Sequence, residues 1–385
     1  MIDFELDPAE VDLREEVRAL LAAEPLAGLL AALPAGGAEP DVRALYRELG
    51  ERGLLATGWP VEFGGRGVSH AHAGAVVEEL VLHGVPDMLQ VLSVQIVGLF
   101  VLRAGSAEQR ASLLPDLGGG RRFATVLYTE PEVGSDLASL ELRAERDGDD
   151  YVLDGVKIWG LKSRFADVGL CAARTATGTS RYEGISLFLV DLDSPGVERA
   201  NVASIADDQF DRVTFRGVRV PASDRLGEDG DGWALLAECL ALERTGLDYS
   251  LKARRWFDTA VAGVTADALT PADLASVGRH ATTVDAAGLL AWDSLNRLDR
   301  GGLDAPDAAA AKLYTSTVAQ DVAVWAAELH GGDYARHALD AGPRAVLDAA
   351  FREAPGVTIA AGTSQVLAEV VFSAAVDAFS AGESR

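Results

Sequence analysis

The sequence predicts an α+β protein in which an N-terminal helical domain, a small central β-barrel or sandwich and a C-terminal four-helix bundle follow one another. The period of the apolar residues gives this order. It is helical up to about residue 118, strand-like from about 123 to 227, and helical again from Trp233 onward. A chain of 385 residues is long enough for two or three domains. We therefore expect domains at residues 1–120, 121–230 and 231–385.

The first region is expected to be all-α. Val11, Val17 and Leu21 fall on one face of a helix that begins at Pro8, and acidic residues lie mostly off that face. Loops rich in Pro and Gly, at 34–40 and 58–67, separate the later helical segments. Those segments are predicted at 42–53, 72–83 and 107–117.

The second region has the composition of short strands. Tyr151, Leu153, Val156 and Ile158 belong to one such strand, and the Asp-Gly pairs at 147–148 and 154–155 are strong turn signals. Further strands are predicted at 184–191 and at 213–221, where the alternation stops at a proline. Several short strands at this spacing are typical of a small barrel or sandwich.

The third region is rich in alanine and again helical in period. Four amphipathic segments joined by short loops predict an antiparallel bundle. They lie at 233–262, 272–300, 307–330 and 343–354.

The composition excludes several classes of function. Acidic residues outnumber basic ones, 59 to 34, which argues against nucleic acid and anionic membrane surfaces as partners. The N-terminus has no signal-peptide pattern and no stretch reaches the ~18 apolar residues of a membrane span, so we expect a cytoplasmic protein. Cys171 and Cys239 are predicted to be buried free thiols, and no His/Cys cluster indicates a metal site. The chain has only four lysines, which we interpret as compositional bias.

One stretch is most informative about chemistry. Residues 126–136 read Val-Leu-Tyr-Thr-Glu-Pro-Glu-Val-Gly-Ser-Asp, so a strand runs into a polar loop that contains both Pro131 and Gly134. Such a loop leaves backbone N–H groups and hydroxyls available to a ligand. The indole of Trp159 returns beside it, which suits a flat, polar, heteroaromatic ligand. The alternative is that Gly134 only turns the chain and Trp159 only fills the core.

These residues resemble the acyl-CoA dehydrogenase family over nearly the whole chain. The family's Thr-Glu-Pro-x-x-Gly-Ser-Asp signature is similar to residues 129–136, and its Leu-x-Gly-x-Lys-x-Trp strand to residues 153–159. A third block resembles Gly331-Gly332 followed by Gly362-Thr363-Ser364. Smaller matches in the right order lie at Ala166-Asp167, Phe215, Val220-Pro221 and Gly232-Trp233.

The resemblance implies that FAD is held non-covalently between the β domain and the C-terminal bundle, with an acyl thioester on its other face. In the family the equivalent loop contacts the flavin ring and ribityl chain, and the equivalent indole covers the ring. The implied cofactor contacts are Leu127, Tyr128, Thr129, Gly134, Ser135, Trp159, Thr363 and Gln365, and the implied substrate contacts are Ser135, Arg244 and Ala361. Electron-transfer flavoprotein, or a similar acceptor, is the implied redox partner.

The implied reaction is α,β-dehydrogenation, in which a carboxylate removes the α-proton and the β-carbon gives up a hydride. Most members carry the base as a Glu just before the late Gly-Thr pair, and here Ala361 stands at that position. Its backbone N–H can still stabilise the thioester oxygen. A minority carry the base on the first long helix of the bundle, which points to Glu243. The alternative is that Glu243 and Arg244 only form surface ion pairs.

Other residues also depart from the family's pattern. Leu161 replaces a usual Thr, and the Arg-x-x-Phe-Gly motif that reaches the neighbour's diphosphate has no clear equivalent, the nearest being at 254–257. Glu328 replaces a Gln before the Gly-Gly pair, and its charge opposes phosphate. Features that act on a subunit's own flavin are mostly kept here, whereas those that reach the neighbour's FAD are degraded. Actinobacterial steroid side-chain members of the family that are built from two different chains show the same division. We therefore expect a homo- or hetero-oligomer, a dimer or tetramer, and hypothesise a second, similar subunit.

Two other functions stay open at this point. The chain could be a non-catalytic or cofactor-poor partner subunit, or a flavin hydroxylase on the same fold, because fold does not determine reaction. The absence of a carboxylate at Ala361 fits both alternatives as well as it fits a dehydrogenase that uses Glu243.

Overall fold

The computed structural model describes residues 7–33, 41–178, 180–207, 209–265, 267, 269–331 and 343–380, without the side chains of residues 88, 241–243 and 343. Helices, then strands, then helices follow one another in it, as the sequence predicts. The fold class is therefore confirmed. No helix in these described ranges is long and apolar enough to cross a membrane.

The N-terminal region is helical and its helices pack on one core. That core also contains one face of the central strands, so the first two regions are joined by continuous apolar packing. The helices are α1 Pro8–Leu21, α2 Leu26–Ala31, α3 Arg43–Glu51, α4 His70–Leu82, α5 Met88–Gln90, α6 Leu99–Ala104 and α7 Ala107–Gly118, with a π-helical stretch Val91–Gly98 between α5 and α6.

The segment from α5 to α6 was not predicted. It is apolar on nearly all sides, since Leu92, Val97 and Phe100 are all buried. A helix buried all round shows no amphipathic period, so periodicity cannot reveal it.

The central region contains eight strands among the described residues. They are β1 Ala124–Leu127, β2 Arg143–Asp147, β3 Asp150–Leu161, β4 Val168–Arg174, β5 Ile185–Asp191, β6 Val197–Val202, β7 Phe210–Pro221 and β8 Arg225–Leu226. They form one hydrogen-bonded path in the order β6-β7-β3-β2-β4-β5-β8, with β1 paired to β4 in parallel. All other neighbours are antiparallel except β2 and β4.

The path folds so that β4 and β5 are covered on both faces. Leu170 points into the core shared with the N-terminal helices, whereas Cys171 points into a second core made with β3 and β7. This explains why β4 and β5 read as continuous apolar runs while β3 alternates. Both cysteines are buried and free, as predicted, and burial raises the pKa of the Cys171 thiol to about 12.

The C-terminal region is a helical bundle. Its helices are α8 Gly232–Glu243, α9 Leu247–Ala262, α10 Pro271–Asp299, α11 Ala305–Leu329, α12 Pro343–Val357 and α13 Ser364–Ser380. Helices α9 to α12 share a third core that includes Trp256, Val284, Val322 and Leu347. These four form the predicted bundle.

Two details of the bundle were predicted wrongly. The single segment at 233–262 is two helices, because Gly246 adopts a left-handed backbone with φ 80° and ends the continuity between α8 and α9. The final helix α13 was not predicted. It buries Leu367 but leaves most of its other apolar side chains exposed, so it lacks a clear amphipathic stripe.

Candidate active site

The loop after β1 begins where the strand leaves the core. Leu127, the last residue of β1, is buried between the sheet layers, and the next ring, Tyr128, packs against Phe100 at 6.4 Å between centroids. Glu130 and Val133 then exchange two backbone hydrogen bonds of 2.9 and 3.1 Å. These bonds close a tight turn, so the residues that follow it are presented in a fixed position.

A buried ion pair joins this loop to β3. The Lys157 ammonium is fully buried and lies 2.8 Å from Oε1 of Glu130, whose side chain is 7% exposed. The same ammonium donates to the Tyr128 carbonyl at 2.9 Å, and the Glu130 carboxylate accepts from the backbone N–H groups of Glu141 and Leu142. A buried pair is stable only when its remaining donors and acceptors are satisfied, as they are here.

The outer side of the loop is open. Gly134, Ser135 and Asp136 are exposed, and the Thr129 carbonyl accepts from the Ile158 N–H at 2.9 Å. A Cβ built on Gly134 meets no atom within 4 Å, and its φ is not in the left-handed region. Neither backbone conformation nor internal packing therefore requires a glycine here. The open space in front of it is suited to a flat ligand that approaches the backbone closely.

Trp159 does not fill the core. Its side chain is 49% exposed and meets Phe210 edge-on, with 5.7 Å between the ring centroids. The register of β3 against β7 shifts between Lys157 and Gly160, and Trp159 there has a left-handed φ of 59°. A β-bulge re-aims a side chain in this way, and backbone strain of this kind clusters at functional sites. The core-filling alternative is therefore wrong.

A second group of predicted residues lies on the turn between α12 and α13. Ala361 and Gly362 have left-handed φ values of 54° and 99°, and Ala361 is exposed. Thr363 accepts the Val366 N–H at 3.3 Å and so caps α13, while Gln365 is exposed in its first turn. A strained, exposed backbone therefore stands where the family's usual carboxylate would be.

Arg244 reaches this turn. It follows α8 directly, and a Cβ built on Gly362 lies 3.2 Å from its Nη2 atom. The structure thus brings together Arg244 and Ala361, both implied as substrate contacts. Glu243 is the last residue of α8, and its side chain lies outside the described residues, as does Gly332.

Lys312 of α11 lies beneath the same turn and was not singled out from the sequence. Its ammonium is fully buried and donates to the carbonyls of Val357 at 3.2 Å and Gly362 at 2.9 Å. Burial lowers the pKa of this lysine to about 8. The only signal was its rarity, since Lys312 is one of four lysines in the chain and directly follows the alanine run 308–311.

The two groups of site residues belong to different domains. Arg352 of α12 connects the two domains, because it donates to the Ile205 carbonyl at 3.1 Å and to Asp207 of the β domain. Asp348 of α12 accepts from its Nε. Hydrogen bonds to Asp207 and Asp348 hold the pKa of Arg352 above its usual range.

Beside this connection lies a cavity of about 680 Å³ between α10, α11 and α12. Three carboxylates line it, those of Asp273, Asp321 and Glu328. Of its two arginines, Arg279 and Arg352, the second already has carboxylate partners. The face around Glu328 therefore does not suit a diphosphate.

The nearest equivalent of the Arg-x-x-Phe-Gly motif, residues 254–257, lies on α9. Trp256 and Phe257 are buried in the bundle core, and Arg254 is paired with Asp258 and Asp285 of its own chain. Arg255, the remaining residue of this stretch, is exposed.

The ring end of a flavin fits what the β domain offers. Thr129 and Ser135 supply hydroxyls, Trp159 supplies an exposed ring, and Gly134 leaves open space, with no charged side chain among these four. Among the described residues no cluster of three or more His, Cys, Asp or Glu could hold a metal ion.

Comparison with known proteins covers the chain from end to end. Three family descriptions match in order: "Acyl-CoA dehydrogenase, N-terminal domain" over residues 7–121, "middle domain" over 125–218 and "C-terminal domain" over 230–375. Acyl-CoA dehydrogenase FadE29 of Mycobacterium tuberculosis is 30% identical over 345 residues, which cover 86% of this chain and 87% of that protein.

Other similar proteins match with different coverage. Acyl-CoA dehydrogenase IpdE1 of the same organism is 35% identical over 241 residues, and the match spans 60% of this chain and 62% of that protein. A solved structure described as "Tcur3481-Tcur3483 steroid ACAD" superimposes with a TM-score of 0.86 at 28% identity and covers 100% of both chains. Butyryl-CoA dehydrogenase from Megasphaera elsdenii has a TM-score of 0.83 at 22% identity, covering 97% of this chain and 100% of that one, and shows the shared fold.

Proposed function

The chain belongs to the acyl-CoA dehydrogenase family, and we propose that it dehydrogenates an acyl thioester at the α and β carbons with Glu243 as the base. The observation that carries this proposal is the contact between Arg244 and the turn at Gly362. Consecutive Cα atoms are about 3.8 Å apart, so Glu243 stands next to the residue that touches the turn. We infer that its carboxylate does the work of the one missing at Ala361.

The family's cofactor is FAD, which when bound accepts the hydride from the β-carbon. In this chain residues 127–135 and Trp159 would hold its ring end, and Thr363 and Gln365 would also contact it. The fit is supported by the open space at Gly134 and by the exposed indole of Trp159.

The chain's own residues then divide the work on the substrate. The carboxylate of Glu243 removes the α-proton, which is acidic only if the negative charge that builds on the thioester oxygen is stabilised. The Ala361 N–H supplies one fixed donor for that oxygen. Two cations stand near the turn, Arg244 and Lys312, and both favour negative charge developing beside it.

We further propose that the chain works with a second, similar subunit. Support comes from the cavity around Glu328, which is lined by three carboxylates and two arginines, one of them already paired with Asp207 and Asp348, and from the intrachain ion pairs of Arg254. The partner would supply the diphosphate contacts that this chain lacks. The protein described as "Tcur3481-Tcur3483 steroid ACAD" is similar over the full length and carries two names. Electron-transfer flavoprotein, or a similar acceptor, would reoxidise the complex.

Purification tests both proposals. The chain should be expressed alone and together with a similar chain, and flavin content, mass and anaerobic bleaching by an acyl-CoA should be measured. Bleaching that needs the second chain supports the heteromer. Stoichiometric flavin and full bleaching with the chain alone reject it and leave the dehydrogenase. A colourless complex in both preparations rejects a catalytic role and favours the cofactor-poor subunit.

A further inference from the structure

Two side chains of α11 hold the turn that contains Ala361, Lys312 and Gln320, of which Gln320 donates to the Ala354 carbonyl at 3.0 Å and to Thr358 Oγ1 at 3.4 Å. Lys312 donates to the carbonyls of Val357 and Gly362, at 3.2 and 2.9 Å, and these two carbonyls bracket the turn. Val357 is the last residue of α12, whose C-terminal carbonyls carry partial negative charge. One ammonium therefore binds the end of the helix and the far side of the turn together.

The turn needs such support because its backbone is strained. Gly362 adopts φ 99° at no steric cost, but Ala361 has a Cβ and still adopts φ 54°. A non-glycine residue stays in this region only when its surroundings hold it there. The Ala361 side chain is exposed, so its own packing is not what holds it.

Burying a lysine for support of this kind is unfavourable, and several groups offset that cost. The Lys312 Nζ lies 5.2 Å from the centre of the Tyr249 ring, a cation–π contact. The charged groups that face it are Asp248 on α9, which favours the ammonium, and Arg244 at the end of α8, which opposes it. An apolar side chain would fill the same space without this cost, so the positive charge itself matters here.

We propose that Lys312 is a positioning residue for the dehydrogenation, holding the Ala361–Gly362 turn so that the Ala361 N–H faces the thioester oxygen. This rests on the proposed function. Because the turn has lost its carboxylate, its backbone is what it contributes to the reaction. The side chain that fixes this backbone therefore acts on the rate and not only on stability.

The test compares Lys312→Met, Lys312→Arg and a matched control, Lys252→Met. Lys252 is also a mostly buried lysine bonded to α12, through Glu353, but its ion pair does not involve the turn. All are measured in the assembly in which the wild type binds flavin. We expect Lys312→Met to lower kcat about 100-fold, the effect of misplacing a reacting group by about 1 Å. KM for the acyl-CoA and the flavin content should change little, and the control should keep the wild-type kcat.

A pH profile separates positioning from a merely structural role. The wild-type rate should fall as pH rises through about 8, where Lys312 loses its charge, and Lys312→Arg should remove that fall because guanidinium stays protonated. If Lys312→Met does not fold, the arginine variant alone carries the test. A wild-type kcat in Lys312→Met, or an unchanged alkaline fall in Lys312→Arg, would overturn the proposal.

Hydrogen exchange provides a readout that does not depend on activity. Amides of residues 358–364 should exchange at least about 10-fold faster in Lys312→Met than in the wild type and in Lys252→Met. If the wild type itself fails to bleach with any acyl thioester, the proposed function fails while the hold on the turn is still tested by exchange. Unchanged exchange would reject the role of Lys312 alone.

Discussion

Lys157 Nζ lies 2.8 Å from Glu130 Oε1 in a buried ion pair, and this pair joins the two sequence motifs that indicate a flavin site. The loop and the strand were predicted to lie together because of what they would bind. In the structure, an ion pair between the loop and the strand holds the two together. Trp159 follows Lys157 by two residues on the same strand, β3.

Breaking this pair should destabilise the β domain. We expect Lys157→Met to lower the free energy of unfolding by about 3–5 kcal/mol, since it leaves a buried carboxylate without its cation. Chemical denaturation measures this. Replacing both partners, as Glu130→Gln with Lys157→Met, should cost less than the sum of the single changes. Arg219→Ala, which breaks exposed pairs with Asp147 and Asp150, serves as the control and should cost at most about 1 kcal/mol.

Gly134→Ala should separate folding from cofactor binding. The added methyl meets open space, so the free energy of unfolding of the flavin-free protein should change by less than about 0.5 kcal/mol. Flavin affinity, measured by titration, should fall because that space is where the ring approaches the backbone. Gly278→Ala on α10 also meets open space and should leave flavin binding intact. Equal flavin affinity in both variants would argue against the loop as the ring site.

At position 159 a glycine should give a more stable protein than an alanine, which is the reverse of the usual order. The φ of 59° there costs an L-residue about 1–2 kcal/mol, so Trp159→Gly should be more stable than Trp159→Ala by about 1 kcal/mol in flavin-free protein. Both variants should bind flavin more weakly than Trp159→Phe, which keeps a ring. Thermal and chemical denaturation of Trp159→Gly and Trp159→Ala measure this cost of the left-handed backbone. Greater stability of the alanine variant would contradict a strained bulge.

Asp248 should set the pH at which Lys312 loses its charge. Burial raises the pKa of Asp248 to about 6, and above that pH its carboxylate favours the ammonium of Lys312. In Asp248→Asn the alkaline fall in kcat should therefore begin below the wild-type value of about pH 8. Stability responds in the opposite sense, because a lysine pKa below its ordinary value imposes a cost that is relieved as pH rises through 8. A loss of rate without loss of stability above pH 8 is the expected signature.

Most helices and strands and the main motifs of the candidate site could be predicted from the sequence. Features that depend on contacts between distant residues could not. Helical and strand periods revealed α1, α10 and β3. The spaced motifs predict that Gly134 and Trp159 belong to one site. The buried helix segment around Val97 has no period to detect. Glu130 and Lys157 were quoted as motif residues without a role, because nothing in one sequence shows that two charges are buried together.

The burial of the lysines is a second feature that the sequence does not indicate. Their scarcity was interpreted as compositional bias, yet Lys157, Lys162 and Lys312 are buried and Lys252 is nearly so. The four lysines in the chain are therefore those with buried or mostly buried side chains. The sequence could not indicate this, because a lysine beside an alanine run is also typical of a solvated helix face.

Glu243 is the proposed base, and anaerobic bleaching of the bound flavin by an acyl-CoA tests this role most directly. Glu243→Gln should bind flavin as the wild type does and lose bleaching by at least about 1,000-fold, because an amide cannot accept the α-proton. Glu238→Gln, an exposed carboxylate on the same helix, is the matched control and should bleach at the wild-type rate. Bleaching at the wild-type rate in Glu243→Gln would contradict the claim.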